Sequence, residues 1–152
     1  MKLYFFRHGQ ADWPNWTKSD DERPLTKKGA KEVRKVAKLL SQLEIAPVIL
    51  TSPLPRASQT AEVAAKVLEV ELREEVKLRP GFDVAALAKI VQKNSVDALM
   101  VVGHEPDFSE TIRELTGGRV KLSKAGVAFV DLDTPTMTGQ LRWLLPPRIA
   151  RL

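Results

Sequence analysis

Short apolar runs alternate along this chain with longer stretches in which apolar residues recur every three or four positions. Lys2–Phe6, Pro47–Thr51 and Ala98–Val102 are the runs, each closed by Gly, Ser or Pro, and they read as buried strands. Between the first two, Ala30, Val33, Val36, Ala37 and Leu40 form one helical stripe that starts from Thr26 as N-cap and ends near Leu43. Ala57–Leu68 predicts a second helix, with Ala61, Ala64, Val67 and Leu68 turned inward. Asp83 is placed to cap a third over Val84–Lys93, striped by Leu87, Ile90 and Val91. Asp107–Leu115 is the fourth, stopped by Gly117-Gly118. Glu71–Leu78 alternates weakly and predicts an edge strand. Gln10–Arg23 carries loop residues, and Ala125–Leu132 with Gln140–Leu145 predicts a closing hairpin across Asp133–Gly139.

Strands that alternate with helices of this length imply a largely parallel sheet covered on both faces. The expectation is one α/β domain over residues 1–152: a three-layer domain, with a mostly parallel central sheet and the C-terminal antiparallel hairpin at its edge. At 43% hydrophobic and 28% charged residues, the composition excludes a disordered or collagen-like chain. The absence of Cys excludes a disulfide framework, a zinc ribbon, iron–sulfur ligation and a cysteine nucleophile. No stretch approaches the ~18 uninterrupted apolar residues of a membrane span. The apolar start meets Arg7-His8 too soon for a signal peptide, so the cytoplasm is the expected compartment and no membrane partner is expected. Of the 24 basic residues behind the net charge of +5, six (Lys27, Lys28, Lys31, Arg34, Lys35, Lys38) share the outer face of the first helix. Such a face is either simply solvated or meets an acidic protein or a phosphate backbone. No nucleic-acid motif accompanies it, so no nucleic-acid partner is expected.

Ligands of open α/β sheets bind beyond the carboxyl ends of the strands. Three predicted strands end in unusual residues: Arg7-His8-Gly9, Ser52-Pro53 with Arg56 close behind, and Gly103-His104-Glu105-Pro106. Singly, each is ordinary: a solvated Arg, a satisfied His, a Gly permitting a tight turn. Jointly they are not, because the only two His of the chain both follow strand ends and both adjoin a Gly. Two Arg and two His around one hollow suit a phosphoryl group. A guanidinium fork grips two phosphate oxygens, a neutral imidazole can attack phosphorus, and a second, protonated imidazole can stabilise transition-state charge. No cluster of acids calls for a metal, and no cofactor is expected.

Leu3–Gly9 with its Arg-His-Gly, Arg23-Pro24-Leu25-Thr26 with Gly29, Ser52-Pro53-Leu54-Pro55-Arg56-Ala57 and Val102-Gly103-His104-Glu105-Pro106 resemble, in order, the histidine phosphatase (phosphoglycerate-mutase-like) superfamily. The short length and the Arg-Pro-Leu-Thr block are similar to its SixA-type branch of phosphohistidine phosphatases. The resemblance implies a metal-independent phosphatase in which His8 is the nucleophile, Arg7 and Arg56 hold the phosphoryl oxygens, and His104 completes the pocket. It implies that Gly9 fixes the His8 tautomer and that Arg23 lines the pocket mouth. For the proton donor it offers two positions, Asp83 and Glu105. A phosphohistidine leaves as an imidazole, a better leaving group than an alkoxide, so a strong acid is dispensable for it. The chain also has little room for a lid, which fits a residue displayed on a protein, such as a His-containing phosphotransfer domain. A phosphatase of small phosphate esters and a non-catalytic phosphate- or partner-binding module are the alternatives. Trp13 and Trp16 fall in the one long loop, near the expected entrance.

Overall fold

Leu3 and Phe5 point to one side of the first strand and Tyr4 and Phe6 to the other, and all four are buried. That alternation divides the molecule into two cores, one on each face of a single sheet. The computed structural model describes Met1–Arg151. Its strands are β1 (Lys2–Arg7), β2 (Val48–Thr51), β3 (Leu72–Glu74), β4 (Ala98–Gly103), β5 (Val127–Asp133) and β6 (Thr138–Leu145). They lie in the order β3-β2-β4-β1-β5-β6. The first four are parallel; β5 runs antiparallel to β1, and β6 runs antiparallel to β5. Helices α1 (Lys27–Gln42) and α2 (Pro55–Leu68) cover the Tyr4/Phe6 face, while α3 (Val84–Lys93) and α4 (Asp107–Thr116) cover the Leu3/Phe5 face. The expected three-layer α/β architecture is the one found.

Local chemistry sets the boundaries. Thr26 caps α1 by accepting from the Gly29 amide, Asp83 caps α3 by accepting from Ala86, and Gly117 ends α4 in the left-handed region at φ 76°. The sequence pattern misplaces three details. Helix α2 begins at Pro55 rather than Ala57, because a first helical residue has no use for the amide that Pro lacks. The edge strand expected over Glu71–Leu78 stops at Glu74: the Glu75 carboxylate accepts from the Lys77 amide at 2.9 Å, turns the chain, and delivers Leu78 into the core. The tail adds a short 3-10 helix, Pro147–Arg151, that packs on α1 with Arg151 on Glu32 at 2.8 Å. No helix among the described residues is long and apolar enough to cross a membrane.

Gly9 and Gly103 are not turn glycines, since neither has a positive φ. They are close-approach glycines. A Cβ at Gly9 would sit 2.6 Å from Val33 Cγ2, and one at Gly103 would sit 2.8 Å from the Phe108 ring. Gly29 is tighter still, with its virtual Cβ 2.2 Å from the Gln10 carbonyl oxygen, so that α1 presses its first turn against the backbone leaving β1. In an open helix, Gly→Ala stabilises by ~1 kcal/mol. Here the overlap with backbone costs more, of order ~1–3 kcal/mol. Gly29→Ala is therefore expected to lower the urea midpoint; an unchanged or raised midpoint would show that α1 does not press on this segment.

Candidate active site

Register brings the strand ends together. Arg7 pairs with Gly103 across β1 and β4, and Thr51 pairs with Val102 across β2 and β4, so His8, Ser52 and His104 leave the sheet side by side. The His8 backbone is held from both flanks: its amide donates to Gly103 O at 3.0 Å and its carbonyl accepts from the Ala125 amide at 3.1 Å. The two imidazoles are buried, with ring centroids 5.4 Å apart and planes tilted by 53°. His8 Nδ1 lies 2.7 Å from the Gly9 carbonyl oxygen. A carbonyl only accepts, so Nδ1 carries the proton and Nε2 keeps its lone pair. The Gly9 peptide is itself fixed by Thr60 Oγ1, which accepts from the Gly9 amide at 3.0 Å and donates to Arg56 O at 2.8 Å. Across the rim, His104 Nε2 meets Ser52 Oγ at 2.8 Å.

Three guanidinium groups surround this pair. Arg7 Nη1 donates to Leu122 O at 2.9 Å, and Arg56, in the first turn of α2, donates from Nη1 to Asp20 O at 3.2 Å. Arg23 is tethered through Ala11 O at 2.6 Å and Asp20 Oδ1 at 2.7 Å. Among the described residues, Arg7 Nε, Arg56 Nε and His104 Nδ1 are buried without a hydrogen-bond partner. Orphaned polar atoms of this kind are costly, and the two guanidinium N–H groups are donors that an anion would meet. Burial foremost, and then the Arg56, Arg7 and Arg23 charges, push His8 down to about 4 against the favourable Gly9 bond. Burial, then His8, Arg56 and Arg7, push His104 down to about 3. Both imidazoles are thus held neutral at pH 7 by the protein's own surroundings, which suits His8 as a nucleophile.

The two candidate acids are engaged elsewhere. Glu105 spends both oxygens on Ser109, accepting from its amide at 2.7 Å and its hydroxyl at 2.5 Å. Ser109 Oγ accepts from the Leu122 amide at 3.2 Å, and the Leu122 carbonyl is the anchor of Arg7. Glu105 therefore braces Arg7 through two intermediates. Asp83 is exposed, caps α3, and bears on the ionisation of neither imidazole. Sequence reasoning missed Thr60, Ser109 and the bonding role of Ser52. Thr60 alone left a usable signal, a polar residue one turn after Arg56 on the inward face of α2.

Residues 3–80 match the model of the histidine phosphatase superfamily (branch 1). The chain belongs to that superfamily. An uncharacterised protein of Picosynechococcus sp. is 37% identical over 96% of this chain and 100% of its own length. A protein of Photorhabdus laumondii named "Probable phosphoglycerate mutase GpmB" is 28% identical over 79% of this chain, which spans only 54% of that protein. Among solved structures, the protein histidine phosphatase SixA complexed with tungstate superposes with a TM-score of 0.88 at 28% identity, covering 98% of this chain and 99% of that one. The α-ribazole phosphatase of Shigella flexneri shares the fold, with a TM-score of 0.77 at 16% identity over 97% of each chain. This member of the superfamily is accordingly of SixA type in size and shape.

Neutral, buried imidazoles tie stability to pH. Below about 6.5, the ordinary His value, the unfolded chain binds protons that the native state refuses until about 4 and 3. Stability is expected to fall as pH drops from 6.5 to 5, by up to ~1.4 kcal/mol per pH unit for each imidazole. Urea denaturation of wild type and of His8→Asn/His104→Asn checks this: the double variant should be flatter in that window, and identical slopes would contradict the burial argument.

Proposed function

We propose that this chain is a metal-independent phosphatase that removes phosphate from a phosphohistidine on a signalling or phosphotransfer protein, through a phosphorylated His8. The observation that carries the reading is the His8 ring, held by Gly9 with its Nε2 lone pair free, beside two guanidiniums whose Nε groups lack partners. In the first step Nε2 attacks phosphorus, the N–P bond to the substrate imidazole breaks, and that imidazole leaves with a proton taken from water. In the second, water attacks phospho-His8 and releases inorganic phosphate. Arg7 and Arg56 hold the phosphoryl oxygens throughout. His104 faces the same group. The phosphoryl dianion opposes the positive surroundings that keep its imidazole neutral, so His104 takes up a proton as the dianion arrives and then stabilises the transferring group. Gly9 fixes the nucleophile's tautomer and Arg23 braces the mouth.

The SixA likeness over the whole chain supports the phosphoprotein substrate, and so does the engagement of Glu105 and Asp83 away from the pocket, since an imidazole leaves without a strong acid. The basic outer face of α1 suits an acidic carrier in the cytoplasm. A second reading, hydrolysis of small phosphate esters, draws on the mutase-named relatives. A binding module without turnover is the third, and the free Nε2 of His8 counts against it.

His8→Ala is expected to abolish phosphate release from a phosphohistidine protein, while chelators leave the wild-type rate unchanged. Mass spectrometry of the wild type should find acid-labile phosphate on His8. Retained turnover in His8→Ala would end this reading, and faster wild-type turnover of sugar phosphates would favour the second. Glu105→Gln separates brace from acid: loss of a general acid costs ~10²–10⁴-fold, whereas a brace that can still accept from Ser109 predicts a loss below about tenfold.

A further inference from the structure

The loop between β1 and α1 holds two indoles that the chemistry above does not use. Trp13 Nε1 donates to Pro24 O at 2.7 Å and Trp16 Nε1 donates to Ser19 O at 2.9 Å. Each ring has therefore spent its one polar group on its own loop, which pins it in place and leaves only its faces to offer. The rings stand 6.3 Å apart with their planes 35° from parallel, and Trp13 is 39% exposed. They line a hollow of about 560 Å3 together with Asp12, Asn15, Lys18, Asp20 and Arg23. That volume falls within the ~300–1,000 Å3 of small-molecule sites.

Two connections tie this hollow to the phosphoryl pocket. Arg23 is a wall of the hollow, and its charge reaches His8, whose proton affinity it lowers. Asp20 lines the hollow with its side chain while its carbonyl anchors Arg56. The loop is also clamped from below, for Asp12 bonds Lys124 at 2.5 Å, one residue from the Ala125 amide that holds His8 O. The hollow is thus joined to the phosphoryl pocket through Arg23 and Asp20, on a braced frame. Its charges are largely matched within the protein: Arg23 sits on Asp20, and Asp12 on Lys124. Apart from Lys18, the wall has no uncommitted charge for a second anionic group, and the two indoles with Asn15 supply what remains.

We propose that Trp13 and Trp16 form a leaving-group subsite that takes a flat, uncharged or cationic ring bonded directly to the phosphoryl group, and so select for phosphorylated imidazoles over alkyl phosphates. Indoles held with exposed faces bind such rings by stacking or by cation–π contact. The proposal rests on the reading of His8 as the phosphoryl acceptor and adds what lies on the far side of the phosphorus atom.

N-phosphoimidazole and phosphoramidate share the P–N bond and differ in the ring, so they separate the subsite from the pocket. Trp13→Ala/Trp16→Ala is expected to raise KM for N-phosphoimidazole about tenfold, with phosphoramidate within about twofold of wild type. Trp13→Phe/Trp16→Phe, which keeps flat rings, should recover most of the loss. A second arm needs no turnover: in a Trp143→Phe/His8→Ala protein only the two loop indoles emit, and N-phosphoimidazole should quench them where phosphoramidate does not. Equal KM changes on both compounds, or none on either, together with an absent quench, would overturn the subsite. Wild type that cleaves neither compound would refute the His8 reading instead, and the quench would still decide the subsite.

Discussion

The site depends on one pairing, the parallel ladder of β1 with β4 in the register that sets Arg7 opposite Gly103. His8 and His104 are 96 residues apart in sequence, yet each is the residue that follows its strand, so correct pairing places their rings 5.4 Å apart without further adjustment. A slip of one residue would send Leu3 and Phe5 to the opposite face and separate the imidazoles. The two cores therefore act as the gauge of the catalytic geometry, because each admits only its own half of the β1 side chains. Gly103 serves the same end: with no Cβ, it lets Phe108 close on the strand end, and α4 is seated where Ser109, held by Glu105, reaches Leu122.

Around that frame the protein holds a cluster unfavourable to its own stability. Three guanidiniums and two neutral imidazoles share a small volume at the carboxyl ends of the strands, and burial works against the ionised forms of Arg7, Arg56 and both imidazoles. Backbone carbonyls make this tolerable, with Leu122 O on Arg7, Asp20 O on Arg56 and Ala11 O on Arg23. Each satisfies part of a guanidinium and leaves other donors for an anion. A phosphoryl dianion relieves the mutual repulsion, so the same groups that burden the fold favour a doubly charged substrate and, more strongly, the charge that develops in transfer.

Much of this was legible in the chain because it depends on local rules. Thr26, Asp83 and Gly117 announced their helix ends, and three apolar runs ending in Arg-His-Gly, Ser-Pro and Gly-His announced the rim. What stayed hidden depends on contacts between distant segments. Glu105 read as a proton donor because nothing local shows Ser109 Oγ bridging to Leu122, thirteen residues away. Gly9 and Gly103 read as turn residues because the methyl of Val33 and the ring of Phe108, which exclude a Cβ, arrive from helices packed later. The neutrality of His104 left no local sign because its ionisation is set by burial and by His8, Arg56 and Arg7, none of them beside it in sequence. Glu71–Leu78 read as one strand because its alternation continues past the turn that Glu75 imposes.

The central claim is that Arg7, His8, Arg56 and His104 enclose a single oxyanion. A crystal structure of this protein grown with vanadate or tungstate tests it most directly. One metalate centred between the rings, with His8 Nε2 at its apical position and the Arg7 and Arg56 forks on its oxygens, is the predicted result. An anion bound elsewhere, or one that touches either imidazole without the other, would contradict it.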